Sequence, residues 1–189
     1  MLDLPFILEV LSVIFGVAYV ALAAKRNIWC WLFGILGSAV SIFLFWHYSK
    51  LYAEAILSVY YVVTGVIGWV EWNKPKRERK VLKVPLVNHA LLVGLGIVLS
   101  FGLYFLLGSI LKDATRPMLD SFTTMFSFLA TWITIKRWLS CWLYWIIIDA
   151  FTSIMYWNSD LNIYAGLMLA YTVLAAYAYF EWKKEYLKS

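Results

Sequence analysis

Seven stretches of about 20 mainly apolar residues, each bounded by charges or turn residues, constrain this chain more than any other feature of it. They run over about 4–24, 28–47, 51–72, 84–111, 118–135, 138–157 and 161–182. A helix needs that length to cross the ~30 Å hydrocarbon core of a bilayer. Composition agrees, because 63% of the 189 residues are hydrophobic and only 14% are charged. Soluble domains carry roughly half and a quarter, respectively. A chain this short has no core large enough to hide the excess, which excludes a soluble enzyme, a secreted disulfide scaffold and a disordered binder. None of the 4 Pro lies well inside a stretch, and the alternating segments of a membrane β-barrel are absent. The expected fold class is an all-α integral membrane bundle of seven transmembrane helices. The first stretch is a retained helix and not a signal peptide, since Asp3 rather than a basic residue opens it and Glu9 sits inside it.

The basic residues orient this bundle. With the N-terminus outside, the inner connections carry Lys25, Arg26, Lys74, Lys76, Arg77, Arg79, Lys80, Lys83, Lys136, Arg137, Lys183, Lys184 and Lys188, which is 13 of the 16 Lys and Arg. Lys50, Lys112 and Arg116 are left outside with Asp3, Asp113, Asp120 and Asp160. That split follows the positive-inside rule, and losing one helix from the count would destroy it. The net charge of +5 is therefore a topology signal. Nucleic-acid binding is rejected as the meaning of the basic run at 76–83.

The chain also repeats itself. Lys25-Arg26-x-x-x-Cys30-Trp31-Leu32 matches Lys136-Arg137-x-x-x-Cys141-Trp142-Leu143 at an offset of 111. The same offset pairs Glu9 with Asp120, Phe15 with Phe126 and Trp46 with Trp157. At an offset of 110, Leu51 pairs with Leu161, Ala55 with Ala165, Tyr61 with Tyr171, and Glu71-Trp72 with Glu181-Trp182. The single membrane domain 1–189 thus divides into a three-helix repeat (1–75), a connector helix (84–111) and a second three-helix repeat (112–184). An odd connector makes the repeats parallel. Transporters built this way bind substrate near the midplane, at the repeat interface.

Ionisable residues at membrane depth are conspicuous against this background. Asp149 is the deepest, with Glu9 and Glu54 as the other candidates. A carboxylate at the centre of a span costs a few kcal/mol and turns toward the protein interior. Trp142, Trp145, Asp149 and Tyr156 share one face of the sixth helix, at steps of three, four and seven residues. Two indoles, a carboxylate and a phenol in one column suit a flat cationic heteroaromatic ligand, which indole faces stack on and attract. An aromatic packing stripe with a hydrogen-bonded Asp is the competing reading of the same column. The matching face of the second helix offers Trp31, Gly34, Ser38 and Ser41. Gly34, Gly37 and Ser38 permit close helix contact and leave room opposite the bulky column. Glu54, Ser58 and Tyr61 on the third helix, with Tyr164 and Tyr171 on the seventh, add polar groups at repeat-related places that serve either a ligand or interhelical hydrogen bonds.

No Walker-type loop, metal-spaced His/Cys set or nucleophile–base arrangement is legible, so neither a cofactor nor a metal is expected. Cys30 and Cys141 occupy matching positions near the inner face, where small packing residues are the default and a disulfide is not expected. A membrane enzyme would cluster its polar groups at one interface, whereas here the polar face runs into the bilayer interior. A purely structural or receptor-like membrane protein has no need of a buried Asp.

Several of these residues resemble the PnuC family of vitamin-precursor transporters. They are Asn27-Ile28-Trp29-Cys30-Trp31 with Gly34, Leu51-Tyr52-Ala53, Gly68-Trp69-x-x-Trp72, Trp142-x-x-Trp145 leading to Tyr156, and Glu181-Trp182-Lys183. The similarity spans nearly the whole chain. It implies a SWEET-like three-plus-one-plus-three fold in a bacterial inner membrane. It also implies facilitated import of nicotinamide riboside, trapping by a cytoplasmic kinase that phosphorylates the substrate, no enzymatic activity, and a homotrimer. Two positions depart from the family pattern. Members carrying nicotinamide riboside usually have Asn at the place of Asp149 and often Gln at the place of Ser58. Close relatives carry thiamine, which stands as the alternative substrate, because an Asp suits either cation.

The topology is checked by labelling single cysteines introduced at Lys76 and at Asp160 in intact cells. They should react from opposite sides of the membrane; reaction from one side means that the helix count is wrong.

Overall fold

The computed structural model describes residues 4–49, 52–75, 80–110, 117–158 and 162–188. Asp3, Lys50, Leu51, Lys76, Arg77, Arg79, Lys112, Asp113, Arg116, Asp160 and Leu161 lie outside the described residues, as do the side chains of Glu54 and Tyr164. Seven α-helices are present among the described residues: α1 Leu4–Ala24, α2 Trp29–Phe43, α3 Tyr52–Trp72, α4 Leu86–Ile110, α5 Pro117–Ile135, α6 Cys141–Trp157 and α7 Asn162–Lys188. Among the described residues, no strand longer than an isolated bridge accompanies them. Four apolar runs, Leu4–Ala24, Trp29–Tyr48, Leu86–Leu106 and Met118–Ile135, are long and apolar enough to cross a membrane. This is an all-helical, multi-pass membrane architecture.

Three boundaries differ from those expected, each for a physical reason. α2 changes to a π-helical turn over Leu44–Ser49, so the expected helix to residue 47 continues with altered winding. α6 begins at Cys141 instead of residue 138, because Arg137 adopts a left-handed backbone (φ 55°) that ends α5 and turns the chain. α7 runs on to Lys188, well past the apolar stretch ending near 182. Its charged extension is stabilised by the Lys184–Glu181 pair at 2.7 Å and by Glu185, whose carboxylate meets Arg26 at 3.1 Å.

The α1–α2 and α5–α6 turns have the same construction. Arg26 is left-handed at φ 53° and Arg137 at φ 55°. Arg26 N–H donates to Ala23 O at 2.9 Å and Asn27 N–H to Leu22 O at 3.0 Å; Arg137 N–H donates to Thr134 O and Trp138 N–H to Ile133 O, both at 3.0 Å. Each pair satisfies helix-end carbonyls that would otherwise lack partners, which matters because lipid supplies none. The two arginines then reach different helices. Arg26 pairs with Glu185 on α7, while Arg137 donates to Glu71 O on α3 at 3.2 Å and lies 5.2 Å from the Trp72 ring.

Four indoles join the two ends of the sequence at the core. Trp31 on α2 meets Trp72 on α3 edge to face at 5.3 Å, and Trp142 on α6 meets Trp182 on α7 at the same distance and angle. Trp72 and Trp182 lie 5.9 Å apart. Trp72 Nε1 donates to Ile135 O of α5 at 3.1 Å, and Trp182 Nε1 donates to Ala23 O of α1 at 3.0 Å. α1 accordingly packs against α7 and α5 against α3. α4 stands apart, packing along α5 and touching α6 through His89 Nδ1 and the Tyr144 hydroxyl, 3.2 Å apart.

Such packing requires small residues where backbones and rings meet. A Cβ at Gly68 would fall inside contact distance of the Trp31 indole, whereas one at Gly94 would meet nothing within 4 Å. Gly68→Ala should therefore destabilise the detergent-solubilised protein by about 1–3 kcal/mol through overpacking. Gly94→Ala should be neutral or slightly stabilising, because it adds helix propensity without a clash. A thermal unfolding comparison checks this, and equal midpoints for the two variants contradict the packing described.

Candidate functional site

The inward column expected on α6 is realised. Trp142 and Asp149 are buried, and Trp145 and Tyr156 are half-buried. The opposite face carries Leu143, Ile147, Phe151 and Ile154, all exposed toward the surrounding medium, with Ile147 at 69% exposure against 8% for Asp149. The alternation follows from the helical period in a membrane, where lipid-facing positions must be apolar and a carboxylate must not be.

Asp149 lies two turns along α6 from Trp142 and its indole cluster. Its carboxylate makes no hydrogen bond among the described residues, so its burial is not offset by a protein donor. The Tyr171 hydroxyl from α7 is in electrostatic reach of it. That hydroxyl also faces α1, where a Cβ on Gly16 would collide with it. Gly16 is thus the reason that Tyr171 fits between α1 and α6.

The other expected residues divide into two groups. Trp31 and Trp142 are each only 2% exposed and belong to the indole cluster, yet their Nε1 atoms are buried without a hydrogen-bond partner among the described residues. Trp145 is tied to α5 by its Nε1, which donates to Thr134 Oγ1 at 3.2 Å. Tyr61 is half-buried beside Tyr60, and lies within electrostatic reach of Tyr19 on α1. Ser58 is buried and Ser38 half-buried. Glu54 and Tyr164 belong to α3 and α7, with side chains outside the described set. Glu9 and Asp120 fall near the starts of α1 and α5, away from Asp149 in sequence register.

Sequence reasoning did not select Tyr19 or Gly16. The Tyr19 ring packs edge-on to Trp31 at 5.7 Å, and a Cβ on Gly34 would lie 3.1 Å from it. Gly37 serves helix contact, since its Cβ position lies 3.1 Å from Phe15 on α1. Small residues on α2 therefore accommodate α1 side chains, with Tyr19 filling the space left by Gly34. A tyrosine and glycine on a nearly uniform apolar helix give no periodic signal, which is why neither stood out.

This arrangement is a strip of polar and aromatic groups (Trp145, Asp149, Tyr171, Tyr19, Tyr61) inside an apolar bundle. It holds no group of three or more His, Cys, Asp or Glu placed to bind a metal, among the described residues.

The profile of the nicotinamide mononucleotide transporter family matches residues 6–184. The chain belongs to that family. It is therefore a membrane transporter and not an enzyme, as the resemblance to PnuC proteins implied. Similar proteins include the nicotinamide riboside transporter PnuC of Neisseria mucosa, 28% identical over 188 residues that cover 89% of this chain and 69% of the relative. The nicotinamide riboside transporter PnuC of Escherichia coli is 23% identical over 182 residues, covering 82% of this chain and 75% of the relative. The crystal structure of a vitamin B3 transporter PnuC superposes with a TM-score of 0.78 at 20% identity, covering 96% of this chain and 82% of that one. This transporter thus shares the fold of that structure.

The contact between Gly16 and Tyr171 is open to a double-mutant cycle. Gly16→Ala should destabilise the transporter by about 1–3 kcal/mol. In the Tyr171→Phe background, which lacks the obstructing hydroxyl, most of that cost should vanish. Additive effects in thermal unfolding contradict the contact.

Proposed function

We propose that this transporter imports nicotinamide riboside by facilitated diffusion, and that the product is held in the cell by phosphorylation through a cytoplasmic kinase. The observation that carries the reading is Asp149, a buried carboxylate without a hydrogen bond among the described residues, in a bundle whose relatives are named nicotinamide riboside transporters. The pyridinium of that substrate is flat and cationic. A carboxylate in a low-dielectric cavity attracts such a ring far more strongly than it would in water. Trp145 supplies a stacking face, and Tyr61, Tyr156, Tyr164, Ser38, Ser58 and Glu54 supply polar groups for the ribose and carboxamide. Trp31 and Trp142, buried against Trp72 and Trp182, back the site without lining it.

In this reading α1–α3 and α5–α7 are parallel repeats joined by α4 in a SWEET-like arrangement. The matching left-handed arginines and the paired indole bonds support it. The N-terminus faces outward and the C-terminus the cytoplasm, by the placement of Lys and Arg. The protein acts in the cell membrane of a bacterium, as a homotrimer. No ion-coupling group is required. Thiamine is the second reading: it too is a cation with a flat ring, and Asp149 and Ser58 depart from the residues usual in nicotinamide riboside carriers.

Calorimetric titration of the purified transporter with nicotinamide riboside, thiamine, riboflavin and deoxynucleosides tests the assignment, with nicotinamide riboside expected to bind tightest. Asp149→Asn should weaken it by about ten- to hundredfold, or roughly 1.5–3 kcal/mol, the loss of one charge-assisted contact. Trp145→Ala should weaken a neutral analogue with the same ring as much as the cation, because stacking does not depend on the charge. A folded Asp149→Asn variant with unchanged affinity makes Asp149 structural, and tight thiamine binding alone assigns the site to thiamine.

A further inference from the structure

A second feature lies away from the central strip, on the basic side of the bundle. Asn88, Leu91, Leu92, Leu95 and Trp138 line a groove of about 230 Å³ between α4 and the α5–α6 turn. Leu91 and Leu95 are exposed, so the groove opens sideways where the acyl chains of the bilayer lie. The Asn88 side chain sits in the first turn of α4 and makes no hydrogen bond among the described residues. The Trp138 wall is fixed by the edge-on His89 ring, centred 6.3 Å away, and His89 in turn meets the Tyr144 hydroxyl.

The chain preceding α4 is tied to that wall. Leu82 N–H donates to Arg137 O and Leu139 N–H donates to Leu82 O, both at 2.9 Å, forming a bridge that pairs Leu82 with Trp138. Lys80 and Lys83, two residues before and one after Leu82, are exposed and have no carboxylate partner among the described residues. The nearby acid Glu71 is already paired with Lys74 at 2.7 Å and Lys136 at 3.7 Å. The result is a leucine-lined slot in the membrane, an amide at its mouth, an indole at the depth where aromatic residues sit among headgroups, and unneutralised positive charge just beyond.

We propose that this groove is a binding site for an anionic phospholipid. Part of one acyl chain lies against Leu91, Leu92 and Leu95, and the phosphate meets Lys80, Lys83 and the Asn88 amide. Basic pockets beside membrane helices recognise such headgroups, at about 1 kcal/mol per Lys near the surface. A soluble peptide has no access to a lipid-facing slot, and the volume suits a short run of methylene groups better than a side-chain ridge of another helix. The lipid would clamp α4 to the α5–α6 turn, beside the His89–Tyr144 contact of the connector with α6.

The full chain is reconstituted in vesicles of phosphatidylcholine and phosphatidylglycerol in equal amounts, extracted gently and weighed by native mass spectrometry. Phosphatidylglycerol should be retained over phosphatidylcholine, and soluble glycerol phosphate should not displace it. Removing the exposed charges with Lys80→Ala and Lys83→Ala should lower its retention by about fivefold per lysine. Leu92→Trp should fill the groove and release both lipids; if that variant does not fold, the lysine variants decide alone. Equal retention of the two lipids, unchanged phosphatidylglycerol in the lysine variants, or a Leu92→Trp variant that changes subunit number instead of lipid number would each overturn the proposal.

Discussion

Two indole N–H groups fasten the first half of this chain to the second. Trp72 reaches from α3 to the last carbonyls of α5, and Trp182 reaches from α7 to those of α1. In water such bonds contribute about 1 kcal/mol each, little beside hydrophobic burial. Between helices in lipid there is no hydrophobic driving force, and association depends on packing and on polar groups that find partners. Both acceptors are helix-end carbonyls, and Ala23 O takes the Trp182 bond in addition to the one from Arg26 N–H. The rings carry the same connection further: Trp31, Trp72, Trp182 and Trp142 form one continuous string across four helices, with edge-to-face contacts at both ends. The absence of a Cβ at Gly68 and the left-handed turns at Arg26 and Arg137 are conditions for that string to close.

The polar strip depends on this clamp. Because the indoles close one end of the bundle, α6 is held with Trp142 against Trp182, and its next two turns carry Trp145 and Asp149 into the space between α1, α5 and α7. Gly16 lets the Tyr171 hydroxyl approach from α7, and Gly34 receives the Tyr19 ring from α1. The two halves are joined at this junction by a few directional bonds, with small residues at their contacts.

Much of this was legible before any coordinates. A helix in lipid must be apolar on its outer face, so the depth of Asp149 and the spacing of Trp142, Trp145 and Tyr156 fixed which side of α6 turns inward. The offset of 110 located Trp72 and Trp182 as counterparts. Their hydrogen bonds were not legible, because a repeat says which residues are equivalent and not what they touch. The same limit applied to Trp31 and Trp142. An inward indole reads alike whether it meets a ligand or another indole, and these two meet Trp72 and Trp182. The start of α6 was missed because a left-handed arginine has no compositional mark; glycine or asparagine usually holds that position. The length of α7 was missed because its charged extension leaves the bilayer, where the apolar pattern no longer applies.

The proposal that this strip carries a cationic vitamin precursor passively has a direct test. Purified protein in vesicles without any ion gradient, given labelled nicotinamide riboside outside, should show saturable uptake that stops when the inner and outer concentrations are equal. Accumulation of unmodified nicotinamide riboside above the outer concentration, abolished by a protonophore, would contradict the account, as would entry of thiamine with none of nicotinamide riboside.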